Sequence, residues 1–385
     1  MPSLVVTKLT YFDVNASDSF AAAEIERART YHRPLYAALA VEWALRAGVL
    51  CAIAFGAFGD WLWGLTGGSW WARTLELTAF VVVASTLVRL PLSAWRGWAR
   101  ERRWGFSTQL LRAWLWDVVK GLVLGAVLTG IALAALVWTA RTWPVWWPAV
   151  AAPGAAVLTL VLTLLAPLLF ERVFNRFWPL PDEELARELQ ELSERARVPV
   201  RTMLVTDASR RTTKHNAYVS GLGPTRRLVL FDTLLQDAPR GELRGVVAHE
   251  LGHRRFRHVV LGTVLAMLGA AAGVLVLWLA FEWGGLVSAA GATGPGDPRA
   301  VPLVMLVLWV LEIAALPFET WLSRRWERQA DRFALELTHD GAALEDMHRR
   351  LALANLADLD PPRVLYVLLF THPTPPERIA AARSA

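Results

Sequence analysis

The sequence predicts a mainly α-helical protein: a polytopic membrane helix bundle of about six spans, joined to a water-facing segment of mixed α+β structure. Hydrophobic residues make up 55 % of the 385 residues and the mean hydropathy is +0.34, which is too apolar for an ordinary soluble protein. Charged residues still make up 19 %, which is too many for a chain built only of spans. A membrane bundle with a sizeable water-facing part satisfies both figures.

Six apolar stretches have the length that crosses a bilayer. They lie at 35–58, 75–95, 117–138, 149–170, 258–281 and 301–318. The last is the shortest and is bounded by Pro302 and Pro317. No signal peptide is expected, because residues 1–34 are polar and have no cleavage-site pattern after an apolar run.

Basic residues alternate between the two sides of the predicted bundle. In chain order, the segments outside the spans hold four, one, five, one, sixteen, one and nine Lys or Arg residues. The positive-inside rule therefore predicts a cytoplasmic N-terminal segment at 1–34, a cytoplasmic segment at 171–257 and a cytoplasmic C-terminal part at 319–385. Between them lie the first four spans at 35–170 and the last two at 258–318.

Charge and cysteine content restrict the classes of function. The net charge is +6, but the basic residues follow membrane topology, so the lipid bilayer is an expected partner and nucleic acid is not. Of the 40 basic residues only Lys8, Lys120 and Lys214 are lysines, and this arginine excess indicates a GC-rich, bacterial genome. Cys51 is the single cysteine, so an intrachain disulfide and a cysteine-rich metal site are both excluded.

Several ionisable residues fall inside or at the edge of predicted spans. Glu42 and Arg46 are four residues apart, so we expect them to pair on one helix face. Charges at such depth either face a bundle interior or water-filled cavity, or form buried pairs that fix helix packing, and both interpretations stay open. The others are Arg89, Asp117, Lys120 and Glu312.

The segment between the fourth and fifth spans combines helix and strand signals. A helix is predicted from Asp182 to about Arg197. Three short strands follow, at Val200–Thr206, Asn216–Gly221 and Leu228–Phe231. A turn at Gly221–Thr225 joins the last two strands, and Asp237 is predicted as the N-cap of the next helix, with Pro239 in its first turn.

That helix carries the sequence HELGH at 249–253 and is expected to run directly into the fifth span. His249 and His253 are four residues apart, so both imidazoles project from one helix face and can share one metal ion. Glu250 is close enough to accept a proton from a water on that metal. Zinc lowers the pKa of such a water and polarises a peptide carbonyl, while the glutamate passes the proton to the leaving amine. After a helix and a short sheet, this motif predicts a zincin-like cytoplasmic metalloprotease domain.

A third metal ligand is predicted just beyond the last span. Glu327 and Asp331 lie at i and i+4, so one carboxylate could complete a His₂Glu zinc site while the other holds a ligand imidazole by its free N–H. The alternative is a solvated helix with Glu–Arg pairs, which this arginine-rich stretch also supports. The metzincin pattern fails, because it requires histidine where the chain has Val259, and His258 is out of register.

Six further motifs lie before and after HELGH along the chain. They are ERRWGFS at 101–107, FNRFWPL at 174–180, KHNAY at 214–218, RLVLFDTLL at 227–235, SRRWERQAD at 323–331 and His372-Pro373 with Arg378-Ile379. With HELGH, the set resembles the type-1 CAAX prenyl protease family of integral-membrane zinc metallopeptidases over about residues 35–380. Eukaryotic members of that family have seven spans, whereas no convincing additional span is found in residues 1–34.

The resemblance implies the chemistry of the metal site. His249, His253 and Glu327 would bind one zinc ion per chain. Glu250 would be the general base, and Asp331 would support a ligand from behind.

The resemblance also implies how a peptide or protein substrate would bind. The strand Asn216-Ala217-Tyr218 would take the substrate backbone as an added strand, and His372 and Arg378 would contact the substrate or the developing oxyanion. A hollow, water-filled bundle interior is implied as well. A bacterial source argues against isoprenylated CAAX proteins as the native substrate.

The expected function is that of a zinc metalloendopeptidase in the plasma (inner) membrane of a bacterium. It would hydrolyse membrane-associated or C-terminally processed proteins, with its active site on the cytoplasmic side. A heat-shock-type membrane quality-control protease is the nearest alternative, although that type has fewer spans. A non-catalytic membrane scaffold is the alternative of another class, and the intact Glu250 and Glu327 argue against it.

Overall fold

The computed structural model describes residues 14–167, 171–200, 202–220 and 227–384. The predicted turn at Gly221–Thr225 and the last residues of the predicted fourth span lie outside these ranges. Within them, six helices are long and apolar enough to cross a membrane. The predicted mainly helical fold with six spans is therefore confirmed.

The membrane helices extend beyond the apolar stretches that predicted them. They are α1 (Ala22–Phe55), α3 (Trp70–Ala94), α5 (Leu111–Thr142), α6 (Trp147–Leu165), α11 (His258–Glu282) and α13 (Val301–Thr338). A π-helical stretch at Trp95–Arg100 continues α3 into α4 (Glu101–Arg103), and two short helices, α2 (Ala57–Leu65) and α12 (Gly284–Ala289), lie between spans.

Helix α13 departs most from its prediction. The shortest predicted span, 301–318, is the start of a helix of 38 residues that continues through Pro317. Proline has no backbone N–H, so the Ile313 carbonyl one turn earlier loses its donor within the helix, yet the helix is not interrupted there. The same rigid helix therefore carries both the last span and Glu327.

Four of the charged residues within the spans pair between helices, whereas Asp117 pairs with Lys120 inside α5. Glu42 on α1 is buried and lies 3.5 Å from Arg89 and 3.1 Å from Arg96, counting from carboxylate oxygen to guanidinium nitrogen. Arg46 lies 3.7 Å from Glu312 of α13. The expected Glu42–Arg46 pair is therefore wrong, because each residue finds a partner on another helix. The water-filled interior stays a prediction.

The segment after α6 contains a four-stranded sheet. Its strands are β1 (Phe177–Pro179), β2 (Thr202–Thr206), β3 (Ala217–Ser220) and β4 (Arg227–Phe231). The strand order is β1-β2-β4-β3, with β2 and β4 parallel and the outer pairs antiparallel. The predicted strands are confirmed within the described residues, and β1 was not predicted. Strand β3 lies at the edge of the described sheet.

The remaining helices surround this sheet. They are α7 (Glu171–Phe174), α8 (Glu183–Arg195), α9 (Asp232–Asp237), α10 (Arg240–Arg255), α14 (Gly341–Ala354), α15 (Arg363–Leu369) and α16 (Pro375–Arg383). Asp182 caps α8 as predicted, since its carboxylate accepts from the Leu185 N–H at 2.9 Å. Leucine and valine side chains of α8, the sheet, α10 and α14 form one buried core, which fixes α10 against the sheet.

Two expectations about α10 need correction. Asp237 ends α9, and the N-cap of α10 is Pro239, which makes no side-chain capping bond. Helix α10 also does not run directly into the fifth span, because Arg257 has φ +58° and separates α10 from α11. A right-handed helix cannot pass through that left-handed backbone conformation.

Gly252 of HELGH is required by close helix packing. A Cβ atom at this position would lie 3.0 Å from the Cα atom of Ala330 on α13. The glycine therefore allows α10 to approach α13 closely enough for the two histidines to reach Glu327.

Candidate active site

The histidines of HELGH meet one carboxylate of α13 where α10 and α13 pack together. The Nε2 atoms of His249 and His253 lie 3.1 Å apart. Each lies 3.2 Å from an oxygen of Glu327, Oε2 for His249 and Oε1 for His253. His249 and Glu327 are buried, and His253 is partly buried. The structure thus brings together the three residues that were predicted as metal ligands.

These side chains fit a zinc ion. Ligand atoms at the corners of a tetrahedron, with bonds of about 2.0–2.1 Å to zinc, lie about 3.3 Å apart. The three observed separations are 3.1, 3.2 and 3.2 Å. No described donor makes a well-aligned hydrogen bond to the buried Oε2 atom of Glu327, and a cation beside the imidazole nitrogens would offset the cost of burying this carboxylate. Two imidazoles and a carboxylate are also a donor set of catalytic zinc sites.

His249 is held from behind by Asp331. Its Nδ1 atom lies 2.8 Å from Asp331 Oδ1, and Arg378 donates from Nε to Asp331 Oδ2 at 2.8 Å. Burial opposes protonation of His249, but the negative charge of Asp331 and the hydrogen bond to it outweigh burial and raise the pKa of His249 to about 10. This contact fixes the ring with Nε2 towards Glu327.

His253 has a different partner, which sequence reasoning missed. Its Nδ1 atom lies 3.0 Å from Nδ1 of the buried His258, and His258 Nε2 lies 3.0 Å from Gln329 Oε1. The His258 ring stacks on Trp326 at 5.1 Å between centroids. His258 had been considered only as a metal ligand. A third histidine so close to the motif was a signal, but the break at Arg257 that turns it towards His253 was not visible in the sequence.

Glu250 lies beside the candidate metal site and contacts the edge strand. Its carboxylate accepts a hydrogen bond from the Val219 N–H. One turn further along α10, Arg254 donates from Nη2 to the Val219 carbonyl at 2.6 Å. Burial raises the pKa of Glu250. A carboxylate with a raised pKa is suited to taking up and releasing a proton near neutral pH.

A cleft of about 540 Å³ opens beside these residues. The predicted site residues that line it are His249, Glu250, Asn216, Ala217, His372 and Arg378. The His372 side chain is 57 % exposed, and its Nε2 atom lies 3.4 Å from Glu327 Oε2. Tyr218 is absent from the described lining. Its hydroxyl instead donates to Glu171 Oε2 at 3.2 Å.

Two polar residues that were not predicted also line the cleft, His348 of α14 and Asn355, the C-cap of that helix. Asn355 accepts from the His215 N–H at 2.8 Å and donates to the His215 carbonyl at 3.0 Å, just before β3. His348 is buried with Nε2 3.8 Å from Asp331 Oδ1, and burial together with the charge of Arg378 lowers the pKa of His348 to about 3. Neither position had a sequence signal, because both depend on how α14 docks.

Known families match both halves of the chain. Residues 179–385 match Peptidase family M48, and residues 7–176 match a family described as CAAX prenyl protease N-terminal, five membrane helices. The described part of residues 7–176 contains four candidate spans.

Individual relatives agree with these matches. An uncharacterized metalloprotease of Bacillus subtilis, YhfN, is 30 % identical over 315 residues, which cover 80 % of this chain and 74 % of the relative. CAAX prenyl protease 1 of Saccharomyces cerevisiae is 29 % identical over 332 residues, covering 80 % of this chain and 72 % of the relative. The crystal structure of S. mikatae Ste24p is 25 % identical and has a TM-score of 0.84, covering 95 % of this chain and 90 % of that chain.

The match to the peptidase family covers more than half of the chain and includes HELGH, Glu327 and the cleft. The match to the membrane family covers the first four spans. The chain is therefore an integral-membrane metalloprotease that belongs to peptidase family M48.

Proposed function

We propose that this metalloprotease is a zinc-dependent endopeptidase that cleaves membrane-associated or C-terminally processed proteins. The observation that carries the proposal is the spacing of His249, His253 and Glu327, whose ligand atoms lie 3.1–3.2 Å apart at the edge of a peptide-sized cleft. One zinc ion held there would lower the pKa of a water ligand towards neutrality and polarise the scissile carbonyl.

Side chains of the protein would carry out the proton transfer, hold the zinc ligands and contact the oxyanion. A carboxylate oxygen of Glu250 takes the proton from the attacking water and delivers it to the nitrogen of the leaving amine. The raised pKa of Glu250 supports this role, because a more basic carboxylate takes up the proton more readily. Asp331 holds the His249 ring through Nδ1, and Arg378 holds Asp331. We assign to His372, which lies at the open side of Glu327, the donation of a hydrogen bond to the developing oxyanion.

The substrate backbone is proposed to add to the edge of β3. Backbone groups of an antiparallel strand point alternately to either side. The Phe231 N–H donates to the Asn216 carbonyl, so the groups of Ala217 and Val219 point away from β4. The Val219 N–H donates to Glu250, and the Val219 carbonyl accepts from Arg254. The Ala217 N–H donates to Oδ1 of the preceding residue, Asn216, at 2.9 Å. In the described structure the Ala217 carbonyl is therefore the edge group that remains for a substrate N–H.

The proximity of the site to the bilayer supports a membrane-associated substrate. Glu327 lies nine residues beyond the exposed Phe318 of the last span, which is about 13 Å along a helix. Relatives named CAAX prenyl protease 1 support C-terminal processing. Alternating basic segments support a cytoplasmic site in a bacterial plasma membrane. The same pattern supports dividing the chain into 1–34, 35–170, 171–257, 258–318 and 319–385.

The test uses purified full-length protein. The wild type should contain about one zinc per chain, and His249→Ala, His253→Ala and Glu327→Ala should each lower that content. Glu250→Gln should keep the zinc and lose peptide hydrolysis, whereas the control Glu191→Gln, at an exposed position of α8, should keep both.

Two results would overturn the proposal. One is full hydrolysis by Glu250→Gln, and the other is full zinc content in all three ligand variants. Cleaved N-termini in cells carrying wild type or Glu250→Gln would then identify the substrates.

A further inference from the structure

A second cavity lies on the side of α13 opposite the zinc ligands. Its volume is about 420 Å³. It is lined by Phe256, Arg325, Arg328, Gln329, Arg332, Phe333 and Glu336. Helical spacing explains the separation, because Arg325 and Arg332 are seven residues apart on one face while Glu327 projects from another. The cavity is therefore distinct from the substrate cleft.

The lining is strongly cationic. Three arginines converge, and Glu336 is the acidic member of the described lining. Arginines at i, i+3 and i+7 of a helix repel one another. Arg325 and Arg332 are exposed, and among the described residues no carboxylate oxygen lies within 4.0 Å of either guanidinium group. An anion bound between them would relieve this repulsion, and planar guanidinium groups suit a phosphate, which they can bind through two parallel hydrogen bonds.

The cavity also lies where the chain leaves the bilayer. Phe256 follows α10, and α11 begins two residues later with the exposed Val259, Val260 and Leu261. On α13, the exposed Trp321 lies one turn before Arg325. Apolar surface for acyl chains therefore adjoins the arginine cluster. The positive-inside rule explains why arginines occur at this membrane surface, but it does not explain why three of them line one concave site.

We propose that this cavity binds the phosphate headgroup of an anionic phospholipid from the leaflet on the side of the zinc site. Basic pockets at the ends of membrane helices bind lipid headgroups in this way. The adjacent apolar helix surface favours a phospholipid over a free phosphate ion. The inference does not depend on zinc or on peptide hydrolysis.

The experiment measures lipid binding to the full-length protein in detergent by native mass spectrometry. Dioleoylphosphatidylglycerol is compared with dioleoylphosphatidylcholine, which has the same acyl chains and no net charge. The wild type should bind the anionic lipid at least about tenfold more tightly. Each arginine near a membrane surface contributes about fivefold, so Arg325→Gln/Arg332→Gln should weaken binding of the anionic lipid roughly 25-fold.

The matched control is Arg103→Gln/Arg112→Gln. It removes two exposed arginines that flank the second and third spans, outside the cavity, and should keep the lipid preference. Equal loss in both pairs would reduce the effect to general surface charge and overturn the site. An unchanged preference in the cavity pair would overturn it as well. Displacement of the lipid by millimolar inorganic phosphate would overturn the phospholipid assignment.

A second variant distinguishes loss of the binding site from misfolding of the Arg325→Gln/Arg332→Gln variant. Arg325→Lys/Arg332→Lys keeps both charges but loses the two-pronged geometry of the guanidinium group. It should bind phosphatidylglycerol several-fold more weakly than the wild type. Wild-type affinity for phosphatidylglycerol in the lysine pair would show that the guanidinium geometry is not needed, which would contradict a preformed phosphate site.

Discussion

His253 and His258 contact each other through their Nδ1 atoms, 3.0 Å apart. Only one of two facing ring nitrogens can carry the proton. With His253 Nε2 turned towards Glu327, the His253 Nδ1–H donates to His258, and His258 Nε2–H donates to Gln329 Oε1. The two HELGH histidines are thus held differently, His249 by a carboxylate and His253 by a neutral ring.

Replacing His258 should loosen zinc without unfolding the protein. His258→Phe keeps a ring to stack on Trp326 but removes both nitrogens, so His253 loses its orienting partner. Partners of this kind are worth about 10–100-fold in metal affinity, so zinc should pass to a chelator that much more readily. The control Phe256→Leu removes the other ring stacked on His258 and leaves the nitrogens in place. Equal zinc loss in both variants would point to packing alone.

Zinc binding should release a proton from His249. The pKa of His249 is raised to about 10 in the metal-free protein, so below that pH a proton competes with zinc at this residue. Zinc affinity should therefore rise with pH between pH 7 and pH 9. Asp331→Asn removes the negative charge that raises this pKa and should flatten the dependence, whereas Asp346→Asn, at an exposed position, should not. Titration calorimetry in buffers of different ionisation enthalpy measures the released protons. A zinc affinity independent of pH in the wild type would contradict the prediction.

Asn355 should affect substrate binding more than turnover. It binds both backbone groups of His215 and so fixes the start of β3. Asn355→Ala removes two hydrogen bonds of about 1 kcal/mol each, so KM should rise by up to about 30-fold while kcat changes less. Asn355→Asp keeps the bond from the His215 N–H and should have a smaller effect. Steady-state kinetics on a soluble peptide measures both constants. A fall in kcat at constant KM would contradict the prediction, because it would show that the variant does not act through β3.

Glu42 should matter more for stability than Glu312. Glu42 is buried between Arg89 and Arg96, and Glu42→Leu leaves both arginines without this partner. Both arginines are partly exposed, so the cost should lie between about 1 kcal/mol for a surface ion pair and about 3 kcal/mol for a fully buried one. Glu312→Leu is the control, because the Glu312 side chain is 60 % exposed and its contact with Arg46 is 3.7 Å long. Thermal unfolding in one detergent should show a clearly larger loss for Glu42→Leu. Equal losses would contradict the pairing.

Membrane orientation can be tested by cysteine labelling in a Cys51→Ser background. Cysteines near residues 65, 145 and 290 should react with an impermeant reagent from outside the cell, since their segments carry few basic residues. Those near 105, 210 and 345 should be protected until the membrane is permeabilised. Labelling near 210 in intact cells would reverse the proposed orientation.

Much of the site could be predicted because its signals are local. The i, i+4 spacing of His249 and His253 places both rings on one helix face wherever that helix packs. Six apolar stretches predicted six spans for the same reason, since hydropathy and length act within each helix. The carboxylates of Glu327 and Asp331 were both candidates for the third ligand, and the choice of Glu327 came from the family resemblance. No local rule links residues 74 positions apart, from His253 to Glu327.

By itself, then, the sequence determined the elements that depend on neighbours along the chain: the spans, the strands and the two histidines on one face of α10. Only the tertiary structure decided which groups meet. It turned His258 towards His253 through the left-handed residue Arg257, and it paired Glu42 with Arg89 and Arg96 instead of Arg46. The physical reason is that a hydrogen bond or ion pair forms or is lost when the distance between two groups changes by a few tenths of an ångström. Those distances follow from how whole faces pack, as where Gly252 lets α10 approach α13.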